Sequence, residues 1–312
     1  MIHMLLSYSC ADIICISMQR QKILVTGSSG LIGSALCRLL GAKGHDLRCF
    51  DLAARGDAHG DVRCPHDLDA AVAGCDGVVH LAAVSRVVWG EADPGSCRAT
   101  NVAGTRNLVE AIGRAGNRAW LVLGSSREVY GQATTLLVTE TAPLRPMNHY
   151  ARSKRDAEQI IAEAAHTGLR AAILRFSTVY GSSADHADRV IPAFCRAALS
   201  GAPLRLDGAA TCLDITHVAD VAAGIARVAR ALDAGQSLPP LQFSTGRGTS
   251  LADLAGMIIA LARSTSPIMQ APARAYDVAR FVGDPGRART LVGWSPSVGL
   301  QDGLADLLAQ FR

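Results

Sequence analysis

The sequence predicts an α/β fold of the Rossmann type, a doubly wound parallel sheet with a smaller C-terminal part. Short apolar segments that indicate buried strands alternate with helical segments over the first 180 residues. A glycine-rich loop follows the first of these strands. The chain of 312 residues is 49% hydrophobic and has a net charge of +4, which is too weakly basic to indicate nucleic-acid or membrane partners.

Apolar runs and helical periodicity define the expected elements. The expected strands cover residues 22–26, 47–51, 77–81, 119–124, 170–175 and 241–244. The expected helices cover residues 31–40, 67–73, 101–115, 151–166, 191–200, 218–231 and 300–310. We therefore predict a dinucleotide-binding domain over 18–180, completed by parts of 214–245, and a part over 181–312 that mainly binds substrate.

The first 17 residues are apolar and contain no Lys or Arg, unlike a signal peptide, and they are too short to span a membrane. We expect residues 1–17 to be a non-native or disordered extension, with Met18 as the natural start; mass spectrometry of the native N terminus would decide this.

Nine scattered cysteines without a C-x-x-C motif indicate reduced thiols, a cytoplasmic location and no metal site.

The glycine-rich loop has the sequence Thr26-Gly27-Ser28-Ser29-Gly30-Leu31-Ile32-Gly33. Glycines permit a tight turn and close approach of the backbone to a pyrophosphate, and the following helix N terminus offers free N–H groups. We expect cofactor contacts from Gly27, Ser29, Gly30, Leu31, Ile32 and Gly33.

Asp51 ends the second expected strand, about 20 residues beyond the loop. A carboxylate at this point can bind both ribose hydroxyls and repel a 2′-phosphate. The sequence therefore predicts NAD rather than NADP as the cofactor. Arg55 lies beyond Asp51 and is expected to be solvated.

Tyr150 and Lys154 are four residues apart on an expected helix, so their side chains share one face. An ammonium beside the phenol, helped by a cationic nicotinamide, has the sign of charge that lowers the pKa of the phenol toward neutrality. The same spacing also occurs on helices with an exposed Tyr and a solvated Lys, and only the neighbouring motifs distinguish the two interpretations.

Several further motifs follow in order, and with them the chain resembles the extended short-chain dehydrogenase/reductases, within them the NAD-dependent sugar epimerase/dehydratase family. The motifs are Gly60-Asp61-Val62, Val79-His80-Leu81-Ala82-Ala83, Asn101-Val102-Ala103-Gly104-Thr105, Leu123-Gly124-Ser125-Ser126-Arg127-Glu128-Val129-Tyr130-Gly131, Asp214-Ile215-Thr216-His217-Val218-Ala219-Asp220-Val221 and Leu291-Val292-Gly293-Trp294-Ser295-Pro296. The resemblance extends from about residue 22 to the C terminus.

The resemblance implies roles for individual residues. Ser126, Tyr150 and Lys154 would be catalytic, and Glu128 is either a further catalytic group or a structural anchor. Further cofactor contacts would come from Asp61, Val62, Leu81, Ala82, Ala83, Asn101, Tyr150 and Lys154, and substrate contacts from Ser85, Ser126, Thr178 and Arg274.

The implied function is an NAD-dependent nucleotide-sugar epimerase, of the 4-epimerase type, that oxidises its substrate transiently to a ketone. Family dehydratases carry Asp-Glu after the catalytic hydroxyl, and this chain has Arg127-Glu128 instead, which disfavours dehydration. A sugar or uronate dehydrogenase or reductase, a decarboxylase, and a non-catalytic dinucleotide-binding protein are the alternatives.

Two departures from the family pattern leave the substrate open. Thr178 stands where the family has an Asn that binds diphosphate, and Leu213 stands where it has the first of two arginines, while Arg274 matches the second. The substitutes that the sequence offers are Arg189, Arg196 and Arg205.

A homodimer is expected through the helices over 101–115 and 151–166. The apolar positions Ala157, Ile160, Ile161 and Ala164 would face either the second copy or the sheet of their own chain.

Overall fold

A computed structural model describes residues 20–116, 119–135 and 137–312, so the expected extension over residues 1–17 lies outside the described residues. The strands are β1 (Lys22–Thr26), β2 (Asp46–Phe50), β3 (Gly77–His80), β4 (Trp120–Ser126), β5 (Ala171–Phe176), β6 (Thr178–Tyr180), β7 (Leu204–Asp207), β8 (Cys212–His217), β9 (Leu241–Phe243), β10 (Gly248–Ser250) and β11 (Ile268–Ala271).

The helices are α1 (Leu31–Ala42), α2 (Pro65–Val72), α3 (Val87–Ala92), α4 (Pro94–Arg98), α5 (Gly104–Arg114), α6 (His149–His166), α7 (Val190–Ser200), α8 (Val218–Asp233), α9 (Leu251–Ala262), α10 (Gly286–Val292) and α11 (Leu300–Phe311). A π-helical turn over Ala99–Ala103 joins α4 to α5, and a 3₁₀ turn over Arg127–Tyr130 follows β4.

Within the described part of the chain, six parallel strands form the central sheet in the order β2-β1-β3-β4-β5-β9. Helices α1 and α8 cover one face, and α2, α5 and α6 cover the other. This arrangement confirms the predicted doubly wound α/β fold. The chain leaves β1 toward β2 and then returns to place β3 on the other side of β1, which opens a crevice at the carboxyl ends of these strands.

The C-terminal part forms a separate apolar cluster beside the sheet. Helices α7, α9 and α11 pack together with β7 and β8, and Phe194, Leu254 and Leu307 are buried at their centre. Strand β8 pairs with β6 and β10, while β7 pairs in parallel with β11. The proposed division into a cofactor domain and a substrate part remains a prediction.

The two late sequence motifs meet each other in space. Trp294 stacks on Phe243 of β9 with the ring centroids 4.4 Å apart, and its indole N–H donates to the backbone carbonyl of Asp220. The Asp220 carboxylate accepts hydrogen bonds from the backbone N–H groups of Ser297 and Val298. These contacts attach the segment after α10 to α8 and to the edge of the sheet.

The sequence did not predict several elements, among them α3, α4, α9 and the short strands of the C-terminal part. Helix α9 has the sequence Leu-Ala-Asp-Leu-Ala-Gly-Met-Ile-Ile-Ala-Leu-Ala, which is apolar nearly all round and lacks the polar stripe of a surface helix. Strands β6 and β10 have three residues each, too few for alternation to be recognised.

Three of the four apolar positions on α6 that could have faced a second copy face the chain's own core instead. Ala157, Ile160 and Ile161 are at most 7% exposed, and Ala157 and Ile161 belong to the apolar cluster beneath α5 and α6.

No helix within 20–116, 119–135 and 137–312 is both long and apolar enough to cross a bilayer.

Replacing Trp294 with Ala should lower the free energy of unfolding by about 3–5 kcal/mol, because it empties a fully buried site against Phe243. Urea denaturation of Trp294→Ala and of the matched control Trp89→Ala, whose side chain is 39% exposed, measures the difference. The control should lose about 1 kcal/mol or less. Equal losses in the two variants would contradict this assignment of the core.

Candidate active site

A cavity of about 1030 Å³ lies along the carboxyl edge of the sheet and continues toward the C-terminal part. Its wall contains nearly all of the residues that the sequence predicted for cofactor and substrate. These are Gly27, Ser29, Gly30, Leu31, Ile32, Gly33, Asp51, Asp61, Val62, Leu81, Ala82, Ala83, Ser85, Ser126, Glu128, Tyr150, Lys154, Thr178 and Arg274.

Gly27 and Gly33 of the loop pack too closely against other backbone atoms to carry a side chain. Gly27 has a φ of +72°, and a Cβ atom there would lie 2.6 Å from the backbone nitrogen of Ala82. A Cβ atom on Gly33 would lie 2.1 Å from the carbonyl oxygen of Gly27. The loop and the first turn of α1 therefore present bare backbone to the cavity, as binding of a pyrophosphate requires.

Asp51 directly follows β2 and belongs to the cavity wall. It accepts hydrogen bonds from the backbone N–H groups of Ser29 (2.9 Å) and Ala53 (2.8 Å), so the loop itself fixes the carboxylate. Arg55 is exposed and does not belong to the cavity wall. The residues present thus fit the adenosine ribose of NAD and offer no cation at this point for a 2′-phosphate.

Asp61 and Val62 lie farther along the same wall. The Arg63 guanidinium donates to both oxygens of Asp61 at 2.6–2.9 Å, and this hydrogen-bonded pair holds the pKa of the Asp61 carboxyl below its usual value. Val62 is buried against Gly104, where a Cβ atom would lie 2.7 Å from the Val62 side chain. The contact between Val62 and Gly104 holds residues 61–63 at the cavity wall.

Ser126 and Tyr150 meet at the end of β4. Tyr150 begins the buried face of α6, and its phenol lies near enough to the Ser126 hydroxyl for the hydroxyl to influence the pKa of the phenol. Burial raises the pKa of Tyr150 to about 12, while the Ser126 hydroxyl and the charge of Arg189 act in the opposite direction. The protein groups alone therefore do not produce the lowered pKa predicted from Lys154. A bound cationic nicotinamide would add positive charge that lowers the pKa of the phenol.

Lys154 lies one turn beyond Tyr150 and is only 5% exposed. Its ammonium donates to the carbonyl oxygen of Gly124 at 2.9 Å. Burial lowers the pKa of Lys154 to about 8, and the interactions of its ammonium with Cys97 and Glu158 partly oppose this shift. At neutral pH the side chain is thus mainly cationic inside the wall of the cavity.

Glu128 is held between two donors. The Arg127 guanidinium lies 2.9 Å from one carboxylate oxygen, and the Asn148 amide donates to the other at 3.2 Å. Both oxygens therefore act as acceptors, which is the arrangement of an ionised carboxylate. Asn148 also caps α6 by accepting from the N–H of Ala151, so Glu128 is connected to the start of the helix that carries Tyr150.

Asn101 is the exception among the predicted cofactor residues, because its side chain lies behind the cavity wall. Its amide oxygen accepts from the N–H of Val84, and its amide nitrogen donates to the carbonyl oxygen of Val84 and to the Ser153 hydroxyl. Ser153 in turn donates to the carbonyl oxygen of Tyr150. Asn101 thus joins the segment after β3 to α6 rather than facing a ligand.

His80 lies at the centre of a buried chain of hydrogen bonds that determines its tautomer. The carbonyl oxygen of Asn101 can only accept, so Thr105 donates to it and must accept from Nε2 of His80. Nδ1 of His80 then accepts from Thr26, whose hydroxyl also accepts from the N–H of Ala82. Burial lowers the pKa of His80 to about 3, so the ring is neutral.

The arginines that could replace the missing donor at Leu213 differ in whether they line the cavity. Arg189, Arg205 and Arg274 belong to the cavity wall. Arg196 does not, because it donates to the carbonyl oxygen of Ser183 and lies over the Phe311 ring. Leu213 itself is buried in the wall and supplies no donor.

Sequence reasoning missed a polar cluster that joins the segment after β3 to the segment before α7. Arg86 pairs with Asp188, Trp89 meets His186 edge to face at 4.7 Å, and Arg189 donates to Ser85 at 3.4 Å. These side chains come from two loops that are about 100 residues apart in sequence, and no local motif connects them. In the described part of the chain, no group of His, Cys, Asp or Glu side chains is arranged as a metal site.

Comparison with known proteins agrees with this geometry. The model of the NAD dependent epimerase/dehydratase family matches residues 23–241. The chain belongs to this family. It is therefore an NAD-dependent enzyme, as the glycine loop and Asp51 predicted.

Individual relatives of the family include epimerases and a dehydratase. The UDP-glucose 4-epimerase of Rhizobium meliloti (strain 1021) is 30% identical, with 91% of this chain and 94% of the relative covered. The dTDP-glucose 4,6-dehydratase of Streptomyces griseus is 31% identical, with 93% and 94% covered. The structure of MoeE5 in complex with UDP-glucose and NAD superposes with a TM-score of 0.87 at 29% identity, covering 93% of this chain and 98% of that one.

Replacing Gly33 with Ala should raise the dissociation constant of NAD at least about tenfold, because the new Cβ collides with the Gly27 carbonyl and deforms the loop. Isothermal titration calorimetry measures the change. Gly113→Ala is the matched control, since a Cβ on that exposed residue of α5 meets nothing within 4 Å. Unchanged affinity in Gly33→Ala would show that the loop does not hold the cofactor.

Protonation of His80 should make the protein less stable in acid. The unfolded chain binds this proton below a pKa of 6.5, whereas the folded chain resists it until about 3. The contribution is thus fully present above pH 6.5 and is lost as the pH falls toward 3, by up to about 1.4 kcal/mol per pH unit.

Urea denaturation between pH 7 and 4 should show a shallower loss of stability in His80→Gln than in the wild type. His59→Gln, which changes an exposed histidine, serves as the control and should keep the wild-type slope. Identical slopes in all three proteins would contradict the neutral, buried state of His80.

Proposed function

We propose that this enzyme is a nucleotide-sugar epimerase of the 4-epimerase type. The observation that carries the proposal is the Ser126–Tyr150 contact beside an Arg127–Glu128 ion pair. Ser126 and Tyr150 provide the hydrogen-bond donor and the proton acceptor that reversible oxidation of a hydroxyl needs. The Arg127–Glu128 ion pair leaves no free acid next to Ser126 and Tyr150. Relatives named UDP-glucose 4-epimerase support the same substrate class.

Proton transfer in this proposal belongs to Tyr150. As phenolate, Tyr150 accepts the proton of a sugar hydroxyl, while Ser126 holds the same oxygen by a hydrogen bond. NAD, which the glycine loop, Asp51 and Lys154 would hold, would supply the hydride acceptor for the carbon that bears this hydroxyl. Tyr150 then gives the proton back to the oxygen of the transient ketone, so the protein ends each cycle unchanged.

Lys154 has two tasks in this scheme. Its buried ammonium stabilises the phenolate of Tyr150 electrostatically, and its remaining N–H groups can bind the nicotinamide ribose. The bond to the Gly124 carbonyl fixes the nitrogen at the end of β4. Because Tyr150 and Lys154 lie one helical turn apart, α6 keeps their spacing constant.

Dehydration is disfavoured because it requires a proton donor for the leaving water. Arg127 stands at the family's acid position and cannot release a proton. Glu128 has both oxygens engaged as acceptors by Arg127 and Asn148. Tyr150 is therefore the proton donor for a ketone formed in this site, which favours reduction of the ketone back to an alcohol over loss of water.

The diphosphate of the substrate would bind at the far part of the cavity. Arg274 is the candidate that the family pattern supports, and it is oriented by an ion pair with Asp277 at 2.7 Å. Arg189 and Arg205, which belong to the same wall, are candidates for the donor that Leu213 lacks. Thr178 and Ser85 would contact the sugar. The homodimer and the cytoplasmic location remain predictions.

Purified wild-type enzyme should interconvert UDP-glucose and UDP-galactose without net release of NADH. Replacing Tyr150 with Phe should lower kcat by about 10²–10⁴-fold, because the group that accepts the proton is removed. Tyr180→Phe is the matched control: it removes the hydroxyl of a buried tyrosine that bonds to the Leu300 carbonyl, away from the cavity wall.

Anion-exchange chromatography of the nucleotide sugars and absorbance at 340 nm distinguish the outcomes. Stoichiometric NADH would indicate a dehydrogenase, loss of water a dehydratase, and loss of carbon dioxide from UDP-glucuronate a decarboxylase. Full activity in Tyr150→Phe would contradict the mechanism.

A further inference from the structure

Three consecutive residues of β4 are each attached to α6. The carbonyl oxygen of Gly124 accepts from Lys154, and the Ser126 hydroxyl acts on the Tyr150 phenol and lowers its pKa. Between them, the Ser125 hydroxyl donates to a carboxylate oxygen of Glu158 at 2.5 Å. Tyr150, Lys154 and Glu158 are spaced by four residues, so one buried stripe of α6 makes all three contacts.

Glu158 does not move freely, because Arg175 on the adjacent strand β5 holds it. The Arg175 guanidinium donates to both carboxylate oxygens at 2.7–3.2 Å, and both side chains are 5% exposed. Arg175 also donates to the Tyr130 hydroxyl and to the Glu140 carbonyl. Such a buried, fully hydrogen-bonded pair is rigid, and breaking it leaves an uncompensated charge.

We propose that Ser125 and Glu158 are positioning residues that set the distance between the Ser126 hydroxyl and the Tyr150 phenol. Ser125 precedes Ser126 directly in β4, and its bond to Glu158 prevents the strand end from sliding along α6. The proposal rests on the proposed function insofar as Ser126 and Tyr150 are taken as the reacting pair. It assigns to Ser125 and Glu158 no contact with substrate.

Glu158 also has a second effect, which is to stabilise the positive charge of Lys154. Glu158 acts on Lys154 from its own helix, Cys97 from α4, and His80 from β3. Tyr150 lies one turn before Lys154 on α6. His80 is neutral, and Cys97 is kept a thiol by burial, which raises the pKa of its side chain. Glu158 is therefore the acid that supports the positive charge of Lys154.

Ser125→Ala removes one hydroxyl and tests the positioning role with the least disturbance. We expect kcat to fall by about tenfold to a hundredfold while KM changes little, because the reacting groups are displaced and the substrate site is intact. The acid limb of the kcat profile, which reports ionisation of Tyr150, should move upward by roughly one pH unit as the effect of the Ser126 hydroxyl on the phenol weakens. Ser125→Thr, which keeps the hydroxyl, should restore most of the rate.

Ser266→Ala is the matched control. It removes a buried serine hydroxyl that donates to the Ala197 carbonyl, outside the cavity wall. Its melting temperature should fall about as much as that of Ser125→Ala, with kcat and the pH profile unchanged. If Ser125→Ala keeps the wild-type kcat and pH profile, or if both variants lose activity only in proportion to stability, the positioning role is overturned.

Glu158→Gln gives a second test, which retains the shape of the side chain. Loss of the negative charge should move the alkaline limb, where Lys154 loses its proton, to lower pH. If this variant does not fold, a double-mutant cycle between Ser125→Ala and Tyr150→Phe on kcat replaces it. A coupling of zero overturns the proposal, and a strong coupling supports it.

The substrate assignment and the positioning role fail in different ways. If wild-type enzyme does not convert any nucleotide sugar, the proposed function fails. Ultraviolet titration of tyrosinate in the NAD complex, with Tyr150→Phe as the reference spectrum, still reports the pKa of Tyr150. An upward shift in Ser125→Ala supports the positioning role without any substrate, and no shift contradicts it.

Discussion

The site depends on one constraint, the common carboxyl edge of the parallel strands β1 to β5. The glycine loop leaves β1, Asp51 follows β2, and Ser126 ends β4, so three chemically different groups reach one crevice without any long loop. The reversal of strand order between β1 and β3 keeps this crevice open. Because backbone hydrogen bonds fix the register of the strands, the distances along the edge are set by the sheet itself.

Helix α6 completes the site by bringing charge into this edge. Burial raises the pKa of Tyr150 and lowers that of Lys154, and both shifts disfavour the charged forms that proton transfer needs. Ser126 and the charge of Arg189 oppose the shift of Tyr150, and the carboxylate of Glu158 opposes the shift of Lys154. In the proposed mechanism, the positive charge of a bound nicotinamide would act on Tyr150 in the same direction as Ser126 and Arg189.

The arginines of the cavity wall are oriented by acids of the same chain. Among the described residues, every arginine of the wall lies within ion-pair distance of an acid. The pairs are Arg63–Asp61, Arg86–Asp188, Arg127–Glu128, Arg189–Asp185, Arg205–Asp207 and Arg274–Asp277. Each guanidinium is thus oriented before a ligand arrives, which reduces the entropic cost of binding. A phosphate or sugar must share these donors with the acids.

The sequence alone determined the features that are encoded locally. Apolar runs and glycine spacing predicted the parallel sheet and the cofactor loop, and Asp51 predicted NAD as the cofactor. The motifs around Ser126 and Tyr150 predicted which groups lie at the crevice. Only the tertiary structure decided that Asn101 lies behind the wall, that Arg196 points away from it, and that Ala157 and Ile161 face the chain's own core. These outcomes depend on contacts between residues far apart in the chain. The apolar periodicity of a helix does not predict which of two buried surfaces the helix covers. It also does not predict which group a polar side chain on that helix hydrogen-bonds to.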